Sequence, residues 1–129
     1  LSKLTGRPTM LFRLPYGAHN EPLEAAMAIQ NLAMVNWTAD SNDWQNRNAG
    51  KITKTVTEYA TTYTQPIIVL HDTYSSTADA TSGIIEALRH KGMTLVTVSE
   101  LTVNTGGLET GKVYCRGTAV NQNGFGCHN

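Results

Sequence analysis

Ile67-Ile68-Val69-Leu70-His71-Asp72 runs an apolar, β-branched-rich segment straight into a histidine and an aspartate. A strand apolar on both faces is what a parallel sheet covered by helices produces. In such folds chemistry collects where strands end, so the His-Asp pair is the feature to follow. On its N-terminal side, Ala49 to Tyr63 reads as a helix, with Ile52, Val56, Tyr59, Ala60 and Tyr63 at helical spacing on its inner face. Threonines weaken that helix's intrinsic propensity, so packing has to hold it. On the C-terminal side, Thr77 to Lys91 reads as another helix, with Ile84, Ile85 and Leu88 inward and Gly92 just past its end.

Further out the alternation continues. Thr9 to Arg13 and Met34 to Ala39 read as strands, and Thr94 to Val98 as the last one. A helix between the first two begins at Asn20, with Pro22 just inside it and Glu21 and Glu24 in its first turn. Strand, helix and strand in repetition imply an α/β fold of parallel strands joined by right-handed crossovers. Four strands cannot close a barrel, and an open sheet of such apolar strands leaves an exposed edge. The expectation is half of a barrel, completed by a missing N-terminal fragment. The first residue is Leu1 rather than Met, so it is not expected to be a translation start. After Leu101 the chain turns rich in glycine and asparagine, dividing it into a domain over 1–102 and a tail over 103–129.

Composition limits the rest. The 129 residues, 40% hydrophobic, suffice for one small core, and ten basic residues balance ten acidic ones. No basic surface is offered to nucleic acid or anionic lipid. The apolar run at Ile67 is far too short to cross a bilayer, and neither end shows a signal peptide or lipidation motif. Cys115 and Cys127 are either two separate thiols or a disulfide closing a loop worth about 3 kcal/mol by chain entropy. The disulfide is the favoured reading and points to an oxidising compartment.

Three polar clusters follow three strands: Arg13-Leu14-Pro15-Tyr16-Gly17, Asp40-Ser41-Asn42-Asp43-Trp44, and His71-Asp72. Each has an ordinary explanation. His71 could be a core histidine bonded to backbone, Arg13 half of a surface ion pair, Asp40 a turn cap and Trp44 plain core. Together they set a guanidinium, carboxylates, an indole and an imidazole around one rim. An imidazole oriented by a carboxylate is a usable proton donor near neutral pH.

In order and spacing these clusters resemble the third, fourth and fifth motifs of the NodB-homology polysaccharide deacetylases, carbohydrate esterase family 4. The likeness runs from about Leu11 to Leu101, closing on Val98-Ser99-Glu100-Leu101, and departs at Leu14, where proline is commonest. The resemblance implies the C-terminal half of a distorted (β/α) barrel and metal-dependent removal of acetyl groups from sugars. It implies that Arg13 orients a catalytic-base aspartate and that the Tyr16 N–H helps hold the oxyanion. Asp43 would pair with His71, which would protonate the leaving group, while Trp44, Leu70 and Pro15 would shape the acetyl pocket. Asp40 and Asp72 receive no role.

The family's first two motifs, which carry the base aspartate and the Asp-His-His metal ligands, are absent. His19, His90 and His128 lack metal-ligand spacing, and His19 reads as a solvated turn residue. A divalent metal, zinc by expectation, would therefore have all its ligands on the N-terminal fragment and none here.

The leading functional expectation is de-N-acetylation of N-acetylglucosamine in peptidoglycan or chitin by a secreted or cell-wall protein. The stretch Leu108-Glu109-Thr110-Gly111-Lys112-Val113-Tyr114 resembles those that trail bacterial cell-wall deacetylases. The alternatives are an acetylxylan esterase and a half-domain that binds glycan without hydrolysing it. No Gly-x-Ser-x-Gly elbow or phosphate-binding glycine loop offers other chemistry. Asn36-Trp37-Thr38 is a glycosylation sequon, but it falls inside an expected strand.

Overall fold

The computed structural model describes residues 2–120 and Cys127. It is a mixed α/β fold with parallel strands. A short helix α1 (Ser2–Thr5) precedes β1 (Leu11–Arg13), which lies parallel to β2 (Ala33–Val35) with Leu11 beside Ala33. The crossover is α2 (Glu21–Ile29), which Asn20 caps by accepting a hydrogen bond from the Leu23 N–H at 3.0 Å. The expected strand from Met34 to Ala39 is two pieces, β2 and β3 (Ala39–Asp40). The break has a cause: the chain changes partners there. The Asn36 N–H donates to the Tyr114 carbonyl, whereas Thr38 and Ala39 both donate to the Ile67 carbonyl.

The second sheet is β3 beside a parallel β4 (Ile68–Val69). Against it pack α3 (Ala49–Thr62) and α4 (Ser75–His90), and Ala39, Ile52, Val56, Ala60, Ala80, Ile84 and Leu88 form a buried cluster. Tyr59 lies outside this core and is exposed, against the expectation from spacing. One small residue to the side, Ala60, closes the helix contact, so the larger ring is turned outward. Gly92 adopts φ +77° and ends α4, with the Gly92 and Met93 N–H groups donating back to Arg89 and Leu88.

Residues beyond Leu101 join the sheet rather than trailing away. Strand β5 (Val113–Tyr114) lies parallel to β2 on the side opposite β1, and β6 (Ala119–Val120) pairs antiparallel with β5. The chain after β5 also borders β4's approach: Ile67 donates to the Cys115 carbonyl and Gly117 to the Gln65 carbonyl. This segment is therefore a wedge between the two sheets. Tyr114 is buried, and its hydroxyl accepts from the Glu109 N–H and donates to the Gly107 carbonyl. Cys115 and Cys127 form a disulfide with Cα atoms 5.8 Å apart, inside a cluster that includes Leu14, Met34 and Val113. Leu14, the one departure from the family pattern, is thus a core residue. Gly111, at φ +76°, lies so close to α2 that a Cβ there would sit 2.7 Å from the Ala28 Cβ.

Thr94 to Val98 is not a strand. It is extended chain leading into α5 (Val98–Thr102), which starts with a capping box between Thr97 and Glu100. Its β-prone sequence pairs with no neighbouring strand among the described residues. A groove of about 530 Å³ separates it from Ile67 and Ile68, and Leu95 and Val96 stay exposed. A strand is defined by its pairing, and local propensity cannot provide that.

Candidate active site

The most ordered polar feature sits where β3 and β4 end. The Asp43 side chain is fully buried, and each carboxylate oxygen has a donor. Oδ1 lies 2.6 Å from His71 Nδ1. Oδ2 accepts from the His71 backbone N–H at 2.6 Å and from the Thr77 hydroxyl at 2.8 Å. Each contact follows from the fold. Asp43 is in the turn after β3, His71 lies two residues past β4, and Thr77 is in the first turn of α4. The parallel register of β3 and β4 brings the first two to the same end of the sheet.

Burial opposes a charge on Asp43, but the hydrogen bonds from the His71 N–H, the His71 ring, Thr77 and Ser41 outweigh it. Its carboxyl is held below the ordinary aspartate value. An ionised carboxylate only accepts hydrogen bonds, so the proton between it and His71 belongs on Nδ1. That leaves Nε2 as the working atom of a side chain 34% exposed. Beside it, the Tyr74 ring lies 6.1 Å from the imidazole, centroid to centroid. Arg47 stacks its guanidinium on Tyr74 at 3.4 Å and donates to the Asp43 carbonyl.

The rim at the end of β1 is built differently. The Arg13 guanidinium lies 4.9 Å from the Trp37 ring centroid. The Trp37 indole N–H donates to Asp40 Oδ2 at 3.0 Å, and Asp40 Oδ1 accepts from the Asn42 N–H. Asp40, which sequence reading leaves without a role, thus holds the indole beneath Arg13. Pro15, Tyr16 and Gly17 form a 3₁₀ turn, in which Tyr16 has φ 56° and ψ 11°. That is the left-handed region, uncommon for a residue with a side chain. Tyr16 is also 91% exposed, and its N–H donates to no acceptor among the described residues. Beneath the turn, buried Asn36 donates from Nδ2 to the Gly17 carbonyl at 2.9 Å. With its amide so engaged, the sequon asparagine is closed to glycosylation.

The other site candidates fall as follows. Trp44 is 49% exposed. Pro15 is exposed and Leu70 half-buried against the α3–α4 cluster. Asp72 is exposed. His19 is not a solvated turn residue: its side chain is buried and paired with Glu24 at 2.8 Å, because α2 folds back over it. Thr77 is the residue sequence reasoning missed. A threonine in a helix's first turn carries no signal until the fold sets Asp43 opposite it. Among the described residues no three His, Cys, Asp or Glu side chains converge as metal ligands. The described residues therefore do not fit a metal site of their own.

No protein-family model matches the sequence. Over 101 residues it is 36% identical to the peptidoglycan-N-acetylmuramic acid deacetylase PdaC of Bacillus subtilis, covering 78% of this chain and 21% of that protein. Over 110 residues it is 34% identical to the peptidoglycan-N-acetylglucosamine deacetylase PgdA of Listeria monocytogenes, covering 85% of this chain and 22% of that one. Its fold matches a family 4 carbohydrate esterase from Streptomyces lividans, solved in complex with acetate, with a TM-score of 0.69 and 29% identity. That match covers 84% of this chain and 53% of the esterase. The chain thus spans about a fifth of these curated relatives and about half of that solved structure.

Proposed function

Because this chain belongs to the polysaccharide deacetylases of carbohydrate esterase family 4, we propose that it supplies the acid and oxyanion side of a deacetylase site. The substrate is an N-acetylglucosamine polymer, peptidoglycan or chitin. The observation that carries this reading is the buried Asp43 carboxylate at 2.6 Å from His71 Nδ1, which leaves Nε2 as the other nitrogen of a side chain 34% exposed. With both ring nitrogens protonated, His71 donates from Nε2 to the leaving nitrogen as its bond to the acetyl carbon breaks. Asp43 keeps the ring aimed and balances its charge throughout.

The Tyr16 N–H, which donates to no acceptor among the described residues, supports a second role, as donor to the oxyanion of the tetrahedral intermediate. Such a donor is worth about 3 kcal/mol in the transition state. Arg13, steadied on Trp37, orients the base aspartate. Trp44, Leu70 and Pro15 border the acetyl methyl. That aspartate, and the ligands of a divalent metal such as zinc, come from an N-terminal half that completes the barrel. When bound, the metal would activate the attacking water. The disulfide fits a secreted or cell-wall protein.

The test is acetate release from chitooligosaccharides and peptidoglycan by this chain together with the complementary half. Turnover should vanish with chelator and return with Zn²⁺. His71→Ala should lower it by about 10²–10⁴-fold without unfolding the chain. Unchanged turnover in that variant overturns the proposed role. Release from acetylxylan alone would instead make the protein an ester hydrolase.

A further inference from the structure

We propose that Thr77 is a positioning residue for proton transfer, fixing the rotation of the Asp43 carboxylate and through it the direction of His71 Nε2. The inference rests on the acid role assigned to His71. Its basis is geometric. Of the donors to the Asp43 carboxylate, two belong to His71, its ring and its backbone N–H, and Ser41 lies in Asp43's own turn. A carboxylate held only by His71 and by its own turn could rotate together with them. The Thr77 hydroxyl, 2.8 Å from Oδ2, comes from a separate element, the first turn of α4. It anchors the pair to a helix whose own position is set by the packing of Ala80, Ile84 and Leu88 against α3.

The threonine is itself well fixed. It is 4% exposed, and its N–H donates to the Tyr74 carbonyl. The charged or titratable groups facing this network are His71, Tyr74, and Arg47, whose guanidinium donates to the Asp43 carbonyl rather than to its carboxylate. None of these can replace a hydroxyl aimed at Oδ2. Without that hydroxyl the carboxylate loses a donor, so Asp43 should take up its proton at higher pH. The ring would then keep an acceptor at Nδ1 but lose its single orientation.

The test compares Thr77→Val, which keeps the shape and removes the hydroxyl, with Thr77→Ser, which keeps the hydroxyl. Nitrogen resonances of the His71 ring and the carboxyl carbon of Asp43, followed against pH in the full chain, read the network whether or not the chain hydrolyses anything. In Thr77→Val the Asp43 titration should move upward and the Nδ1–H preference of His71 should weaken; Thr77→Ser should match the unaltered chain. With the complementary half, acetate release by Thr77→Val should fall about tenfold, the loss expected for one hydrogen bond to a charged group, and its acid limb should move to higher pH. Wild-type titrations in Thr77→Val, or equal shifts in both variants, overturn the proposal. Should Thr77→Val fail to fold, Thr77→Ala against Thr77→Ser decides it by the same readouts. Altered titrations in a chain where His71→Ala leaves turnover unchanged would overturn the acid reading and, with it, the proton-transfer role of Thr77, leaving only its hold on the Asp43–His71 pair.

Discussion

The rim at the end of β4 and the rim at the end of β1 are opposites in construction. At the first, Asp43 is buried, and its carboxylate is tied to two different elements. At the second, Arg13 rests on an indole face, and Tyr16 holds an exposed ring, a left-handed backbone and an N–H unengaged among the described residues. The difference separates two kinds of chemical duty. A proton donor needs one fixed direction, which hydrogen bonds within the chain can supply. A group that meets substrate or another segment needs unused capacity, which a closed network would remove.

The contrast can be broken most severely at Asp43. Asp43→Ala leaves the His71 N–H and the Thr77 hydroxyl without an acceptor and should destabilise the chain by about 3–5 kcal/mol. Arg13→Ala, whose guanidinium makes a stacking contact, should cost about 0.5–1 kcal/mol. Denaturant unfolding of both variants checks this, and comparable losses would contradict the contrast. A pH dependence follows from the same carboxylate. Its folded-state pKa is depressed, so its stabilisation is complete above the ordinary aspartate value and is lost as pH falls through the lower, folded one. Asp43→Asn should flatten that acid limb in melting curves.

The wedge between the sheets comes next in size. Replacing Cys115 and Cys127 with serine should cost about 3 kcal/mol by chain entropy, since it frees a segment that pairs with both β2 and Gln65–Ile67. The same change should disturb the β1 rim more than the β4 rim, because Leu14 shares its cluster with both cysteines. Amide exchange at Gly17 and His71 in the oxidised and serine forms would read that asymmetry. Equal protection changes would mean that the wedge supports both rims alike.

These regions also differ in how much of them the sequence reveals. Helices α2, α3 and α4 are legible because caps, spacing and a terminal glycine are local signals, as at Asn20 and Gly92. The Asp43 and His71 clusters are legible because each ends a strand. Other features depend on partners that sequence does not display. The break at Asn36 to Thr38 arises because β5 takes one half of a strand and β4 the other. Strands β5 and β6 are two residues each, too short for any period to register. Thr94 to Val98 has the composition of a strand and, among the described residues, no strand to pair with. The burial of His19 comes from Glu24, five residues on, folding over it.

The smallest expected effect tests the β1 rim directly. A left-handed residue with a Cβ costs about 1–2 kcal/mol, and glycine removes that cost while adding about 0.5–1 kcal/mol of unfolded-chain freedom. Tyr16→Gly should therefore stabilise the chain by roughly 0.5 kcal/mol, since the ring it removes is almost wholly in solvent. Turnover should move the opposite way, because a freer turn no longer holds the N–H in one direction. Higher stability with weaker acetate release would mean that the strained backbone is kept for its direction. A loss of stability would instead show that the Tyr16 ring makes a contact worth more than the strain, and the contrast between the two rims would have to be redrawn.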